Sequence, residues 1–133
     1  MSAGLDTSVV VRLLTGEPSA QAARARAQVE ASVASGAGPL LVSDLVVGEA
    51  YFALIHHYAV PHAKAVAALL ALLSDSRIHN EGVARGVLEG VRQGNPRPGL
   101  MDRLIAGNYA QQGASALTFD RDAGRLAGVQ LLA

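Results

Sequence analysis

Short apolar runs alternate with longer helix-patterned segments, and this alternation constrains the fold of the chain more than any other feature. Ala3-Gly4-Leu5, Leu40-Leu41-Val42, Arg77-Ile78-His79, Ala116-Leu117-Thr118-Phe119 and the run from Val129 to Leu132 read as strands. Between them, helix signals recur. Asp6-Thr7-Ser8 supplies cap chemistry ahead of Val9, Val10, Leu13 and Leu14 at helical spacing, which predicts a helix to about Thr15 with Gly16 as its stop. Pro18-Ser19 opens a second helix, Ala20 to Ala34, ended by Gly36. Ser43 caps a third, Asp44 to about Tyr58, and Pro61 fits the first turn of a fourth, to Leu73. Asn80 is the expected cap of a fifth, Glu81 to Gln93. The turn-rich stretch Gly94-Asn95-Pro96-Arg97-Pro98-Gly99 separates it from a sixth, Leu100 to Gln112, stopped by Gly113. Strands that alternate with helices pair in parallel, and helices then cover both faces of the sheet. The expected class is α/β with a central, mostly parallel sheet.

The core of such a fold must be aliphatic here, because the chain has two Phe and no Trp. Ala, Val, Leu and Ile suit close packing of helices on a sheet. A chain of 133 residues makes one ordinary domain, expected to span 1–133. Acids and bases balance at 11 each, so no global field announces a nucleic-acid or membrane partner. The absence of Cys removes disulfide frameworks and thiolate metal sites. The longest apolar run, Ala65 to Leu73, falls well short of the ~20 residues that a membrane span requires. The stretch from Met1 to Ser8 lacks a basic region followed by an apolar one, so the expected location is the cytoplasm.

Five acids stand out by position. Asp6 and Asp120 each follow a predicted strand, and ligands of open parallel sheets bind outside the carboxyl ends of the strands. Each is equally suited to cap a helix. Glu49 has Leu45, Val46, Phe52 and Ala53 as same-face neighbours, which predicts either a buried, partnered carboxylate or a helix edge reaching water. Asp102 lies in the first turn of the sixth helix, where it complements the helix dipole beside an apolar face. Asp122 follows Asp120 by two residues and reads as a surface or supporting group. Convergent carboxylates suit hard cations such as Mg²⁺, which activate water for attack on phosphorus. Such convergence should also raise the pKa of at least one acid through like-charge repulsion.

The same residues, in order, resemble the PIN-domain nucleases, and within them the VapC-type toxins of bacterial toxin–antitoxin pairs. The matching pieces are Leu5-Asp6-Thr7-Ser8-Val9-Val10, Val42-Ser43-Asp44-Leu45-Val46-Val47-Gly48-Glu49, Met101-Asp102-Arg103-Leu104-Ile105-Ala106 and Leu117-Thr118-Phe119-Asp120-Arg121-Asp122. The resemblance implies a three-layer α/β/α sandwich and Mg²⁺- or Mn²⁺-dependent endonucleolytic cleavage of RNA. It carries Asp6, Glu49, Asp102 and Asp120 over as catalytic, metal-site acids. Thr7 and Ser8 match the small polar group near the first acid, with helix capping as their other role. The pattern differs at Ala123, where the family often has an aromatic residue, and at Met101, where a small or acidic one is common; these bear on substrate preference. The resemblance also implies a small antitoxin partner that docks a segment over the toxin.

Other chemistries fit less well. There is no G-x-x-x-x-G-K-[ST] phosphate loop, no G-x-S-x-G elbow, and no second acid at Ser8 to make a D-x-D phosphatase motif. His56, His57 and His62 cluster in sequence, with His79 apart; half-buried structural roles suit them better than a transition-metal site. Lys64 is the only lysine among 11 basic residues, and the planar fork of Arg suits phosphate. Arg12, Arg97, Arg103 and Arg121 lie near the proposed rim, and the last three are candidates to hold RNA phosphates. The helix Ala63 to Leu73, apolar except for Lys64, should be buried partly within the domain and partly in a homodimer. The non-enzyme alternative is a catalytically silent PIN-like module that binds protein or RNA.

Overall fold

A computed structural model describes residues 2–94 and 97–132, so Asn95 and Pro96 of the predicted loop lie outside the described residues. The chain forms two compact units, Met1–Glu81 and Gly82–Ala133. Both mix helices with short parallel strands.

In the first unit, the opening extended segment meets β1 (Leu40–Leu41) through a parallel bridge between Gly4 and Leu41. Leu41 N–H donates to Ala3 O and Leu5 N–H to Leu41 O, both at 2.8 Å. On its other side β1 pairs in parallel with β2 (Ile78–His79), Leu40 opposite Ile78. Four helices complete the unit: α1 (Thr7–Thr15), α2 (Ser19–Ala34), α3 (Asp44–His56) and α4 (His62–Ser74). α1 packs on both α2 and α3, and α3 packs on α4. Local signals set the ends. Gly16 takes the left-handed conformation at φ 72 that closes α1, and Ser43 Oγ accepts from Val46 N–H to cap α3.

The core of this unit is aliphatic. Val10, Leu40, Val42, Val47, Leu54, Val66 and Leu69 are all buried, and no polar or charged side chain joins them among the described residues. α4 buries its large residues Val66, Leu69, Leu70 and Leu73 within the structure, which leaves mainly alanines and Lys64 outward. Between α3 and α4 the Tyr51 hydroxyl hydrogen-bonds His62 Nδ1 at 2.5 Å, with the rings edge to face.

Asn80 is not a helix cap. Its side-chain amide donates to Val42 O at 2.8 Å and to Asp44 Oδ1 at 2.9 Å, closing the end of β2 onto the β1–α3 junction. With that amide engaged, the next helix starts later than expected, at Ala84 rather than Glu81.

The second unit contains α5 (Ala84–Gln93), α6 (Leu100–Gln111), β3 (Ala116–Thr118), a single 3-10 turn (Ala123–Arg125) and β4 (Val129–Leu131). β3 and β4 pair in parallel, Ala116 opposite Val129. Leu88, Val91, Leu100 and Leu104 are its buried large residues on α5 and α6. The strand stops before Phe119, which is 78% exposed. Parallel pairing therefore occurs in both units, in sheets of two strands each. No helix among the described residues is long and apolar enough to cross a membrane.

α5 and α6 approach closely at Gly107, where an added Cβ would lie 2.8 Å from Val83 Cγ2. A branched side chain cannot easily swing aside. Ala in a helix gains about 1 kcal/mol over Gly, whereas overpacking costs about 1–3 kcal/mol. Gly107→Ala is therefore expected to lower stability by about 1 kcal/mol in chemical denaturation. Adding Val83→Ala should recover the loss, and a Gly107→Ala variant more stable than the parent would contradict the close approach.

Candidate active site

Asp6 sits where the first extended segment turns into α1. Its backbone is extended (φ −77, ψ 159), and its Oδ2 accepts from Ser8 N–H at 3.3 Å and Ser8 Oγ–H at 2.8 Å. The capping role open to Asp6 is thus realised. The Ser8 hydroxyl bond, followed by the Ser8 backbone bond, holds the Asp6 carboxyl below its ordinary pKa. Both bonds fall on one oxygen, so the cap does not engage the other.

The next residue links a second acid to this turn. Thr7 Oγ1 donates to Glu49 Oε1 at 2.8 Å, a bond from the first turn of α1 to the middle of α3. Glu49 is thereby tied to the residue that follows Asp6. Of the two environments predicted for Glu49, the helix edge reaching water is the one found, because the residue is exposed. Its helix neighbours Leu45 and Phe52 are themselves 65% and 57% exposed, and α3 buries Val47, Gly48, Ala50 and Leu54 instead. An apolar neighbourhood in sequence marked an outward face here.

In the second unit, Asp102 is half-buried in the first turn of α6. Burial raises its pKa, and the charges of Asp120 and then Asp122 add to the effect. Desolvation is the larger cause, and the like-charge contribution comes from two acids of the same unit. Asp120 Oδ1 accepts from Asp122 N–H at 2.7 Å and Ala123 N–H at 3.1 Å, so it caps the 3-10 turn. Asp122 in turn pairs with Arg125 Nη2 at 2.5 Å. Among the described residues, neither unit groups three or more His, Asp or Glu side chains as a ready-made metal site.

The expected phosphate-binding arginines differ in their engagements. Arg103 Nε donates to Pro98 O at 2.8 Å and its Nη2 to Arg97 O at 3.4 Å, fastening the loop before α6. Arg97 and Arg121 are exposed. His56 and His57 lie against the Phe52 ring, and His62 is engaged by Tyr51. Sequence reasoning missed the roles of Thr7, as the group that holds Glu49, and of Asp44, as an acceptor for Asn80. Both contacts join residues far apart in the chain, so no local pattern signals them.

A carboxyl whose folded pKa is raised contributes stability that is present at low pH. That contribution is lost as pH climbs from the ordinary Asp value toward the raised one, because the folded chain then holds its proton more tightly than the unfolded chain. Asp102→Asn cannot ionise. It is expected to be more stable than the parent at pH 7, by less than about 1 kcal/mol because water screens a partly exposed group, and to match the parent near pH 3. Thermal melts at the two pH values check this; an equal difference at both would exclude ionisation of Asp102 as the cause.

Comparison with known protein families matches residues 4–129 to the PIN domain. Searches of curated proteins and of solved structures give no significant match. The family match begins two residues before Asp6, runs through both units, and takes in Glu49, Asp102 and Asp120. This chain belongs to the PIN-domain family.

Proposed function

We propose that the chain is a metal-dependent endoribonuclease that hydrolyses RNA phosphodiester bonds, and that it is the toxin of a type II toxin–antitoxin pair. PIN domains are generally nucleases that use divalent metal ions. The observation that carries the reading here is the Asp6–Ser8 and Thr7–Glu49 bonding, which presents two carboxylates at the turn after the first extended segment. In this reading the two units act as one PIN domain, the three-layer sandwich of the family, in the cytoplasm and as a homodimer.

The donor set fits Mg²⁺ or Mn²⁺. It consists of carboxylate oxygens, which hard cations prefer, and a cation would offset the charges of Asp120 and Asp122 that add to the burial effect at Asp102. Asp6, Glu49, Asp102 and Asp120 would hold the ion, with Thr7, Ser8 and Asp122 supporting them. When bound, the ion supplies Lewis acidity toward water and the phosphoryl group. The chain's own contribution is to hold these acids ready. Ser8 keeps Asp6 ionised well below neutral pH, and Thr7 fixes one oxygen of Glu49. Arg97, Arg103 and Arg121 are the proposed phosphate contacts. No Cys is present, and the described histidines have other neighbours: Phe52 lies beside His56 and His57, Tyr51 holds His62, and His79 is 3.9 Å from Glu81. Water rather than the ribose 2′-OH is therefore the proposed nucleophile, attacking in line and leaving a 5′-phosphate.

Asp6→Asn tests the reading without removing the helix start, since Asn caps as well as Asp. Cleavage of a mixed-sequence RNA is expected to fall roughly 10²-fold or more, because even supporting residues of metal sites cost 10–100-fold, while the melting temperature changes little. The parent's cleavage should stop in EDTA and return with Mg²⁺ or Mn²⁺. Cleavage that persists in EDTA and leaves 2′,3′-cyclic phosphate ends would overturn the mechanism. Absence of any cleavage by the pure protein would favour a silent binding module, and a small antitoxin reading frame beside the gene would support the toxin role.

A further inference from the structure

Away from the acids, α1 and α2 enclose a shallow groove of about 630 Å³. Its polar lining is Arg12 from α1 with Gln21, Arg24 and Gln28 from α2, and its floor includes Ala25 and Ala31. No acid lines it. The α2 residues recur at spacings of three and four, so they form one row along the helix. Alanines and long polar side chains alternate along that lining.

Two features give the groove a direction and a chemistry. Arg12 is pre-set: its Nε donates to Gln21 Oε1, and its Nη1 donates to Ser8 O at 3.0 Å. Ser8 is the residue whose hydroxyl holds Asp6, so the groove leads away from the Asp6 turn along α1, with Arg12 roughly 9 Å down the helix axis from it. The Arg24 side chain makes no hydrogen bond or ion pair among the described residues, and the residue is exposed. Two guanidinium groups with no facing carboxylate make an anion track. The glutamine amides beside them carry both donors and acceptors, which suit ribose hydroxyls and base edges as well as phosphate.

We propose that this groove holds the single-stranded RNA flanking the cleaved bond, with Arg12 and Arg24 as phosphate contacts. The proposal rests on the nuclease reading for its choice of ligand, and it assigns a track on α1 and α2 distinct from Arg97, Arg103 and Arg121. Arg12 and Arg24 act on substrate placement, so their loss should be felt by a polymer and not by a substrate that lacks flanking phosphates.

The test is fluorescence anisotropy of a labelled mixed-sequence RNA of about a dozen nucleotides, in EDTA, between roughly 50 and 200 mM salt. Arg24→Ala should weaken binding several-fold and lower the slope of log affinity against log salt by about 0.7, the value for one phosphate contact on a single strand. Arg12→Ala with Arg24→Ala should lower it by about 1.4. Arg24→Lys should restore the slope. The melting temperature of Arg24→Ala should equal the parent's, and its turnover of bis(4-nitrophenyl) phosphate should be unchanged while KM for RNA rises. Unchanged affinity and slope in both the single and double variants would overturn the groove assignment and leave the nuclease reading standing. Arg24-dependent binding of polyglutamate with Arg24-independent binding of RNA would overturn it in favour of an acidic polypeptide. Arg24-dependent RNA binding by a protein that cuts no RNA would uphold the groove and overturn the nuclease reading alone.

Discussion

The first unit depends on how the chain leaves its opening extended segment. Leu5 N–H is committed to Leu41 O, and the next residue, Asp6, already starts a helix. A reversal this abrupt leaves the first amides of α1 without helical partners. The Asp6 carboxylate answers one of them, and Ser8 Oγ fixes that carboxylate in return. The direction of α1 then brings Thr7 against α3 and Arg12 against α2. One turn thus sets the placement of the acid pair and of the basic groove alike.

Much of this was legible in the sequence where the cause is local. Asp6 and Ser43 cap, and Gly16 stops a helix, because a short polar side chain or a missing Cβ acts within a few residues. Helix ends in α1, α2 and α3 accordingly lie close to expectation. Asn80 has the chemistry of a cap, but the donations of its NH2 group to Val42 O and Asp44 Oδ1, which only the strand pairing brings near, turn its side chain away from the helix start. Glu49 shows why local hydropathy alone could not choose between its two predicted environments. Hydropathy of adjacent helix positions predicts burial only if those positions face the core, and Leu45 and Phe52 do not. The width of the sheets was also beyond reach, since strands of two or three residues carry no periodicity of their own.

The second unit uses its acids differently. Asp120 and Asp122 are tied into a 3-10 turn by backbone amides and Arg125, whereas Asp102 stands in a helix whose first turn favours negative charge. The dipole should ease ionisation of Asp102, yet its pKa rises, so desolvation and the two neighbouring acids outweigh the helix. A stable fold gains nothing from that arrangement. Under the proposed metal-binding function, a cation would offset that local cost.

The bond between Tyr51 and His62 has a practical side. With no tryptophan in the chain, intrinsic fluorescence comes from its three tyrosines, and among the described residues Tyr51 is the one whose hydroxyl is held by an imidazole across a helix pair. Its environment is therefore an optical record of whether α3 and α4 are docked. Tyr58 and Tyr109 emit as well, so the Tyr51 share of the signal is the part that a Tyr51→Phe variant removes.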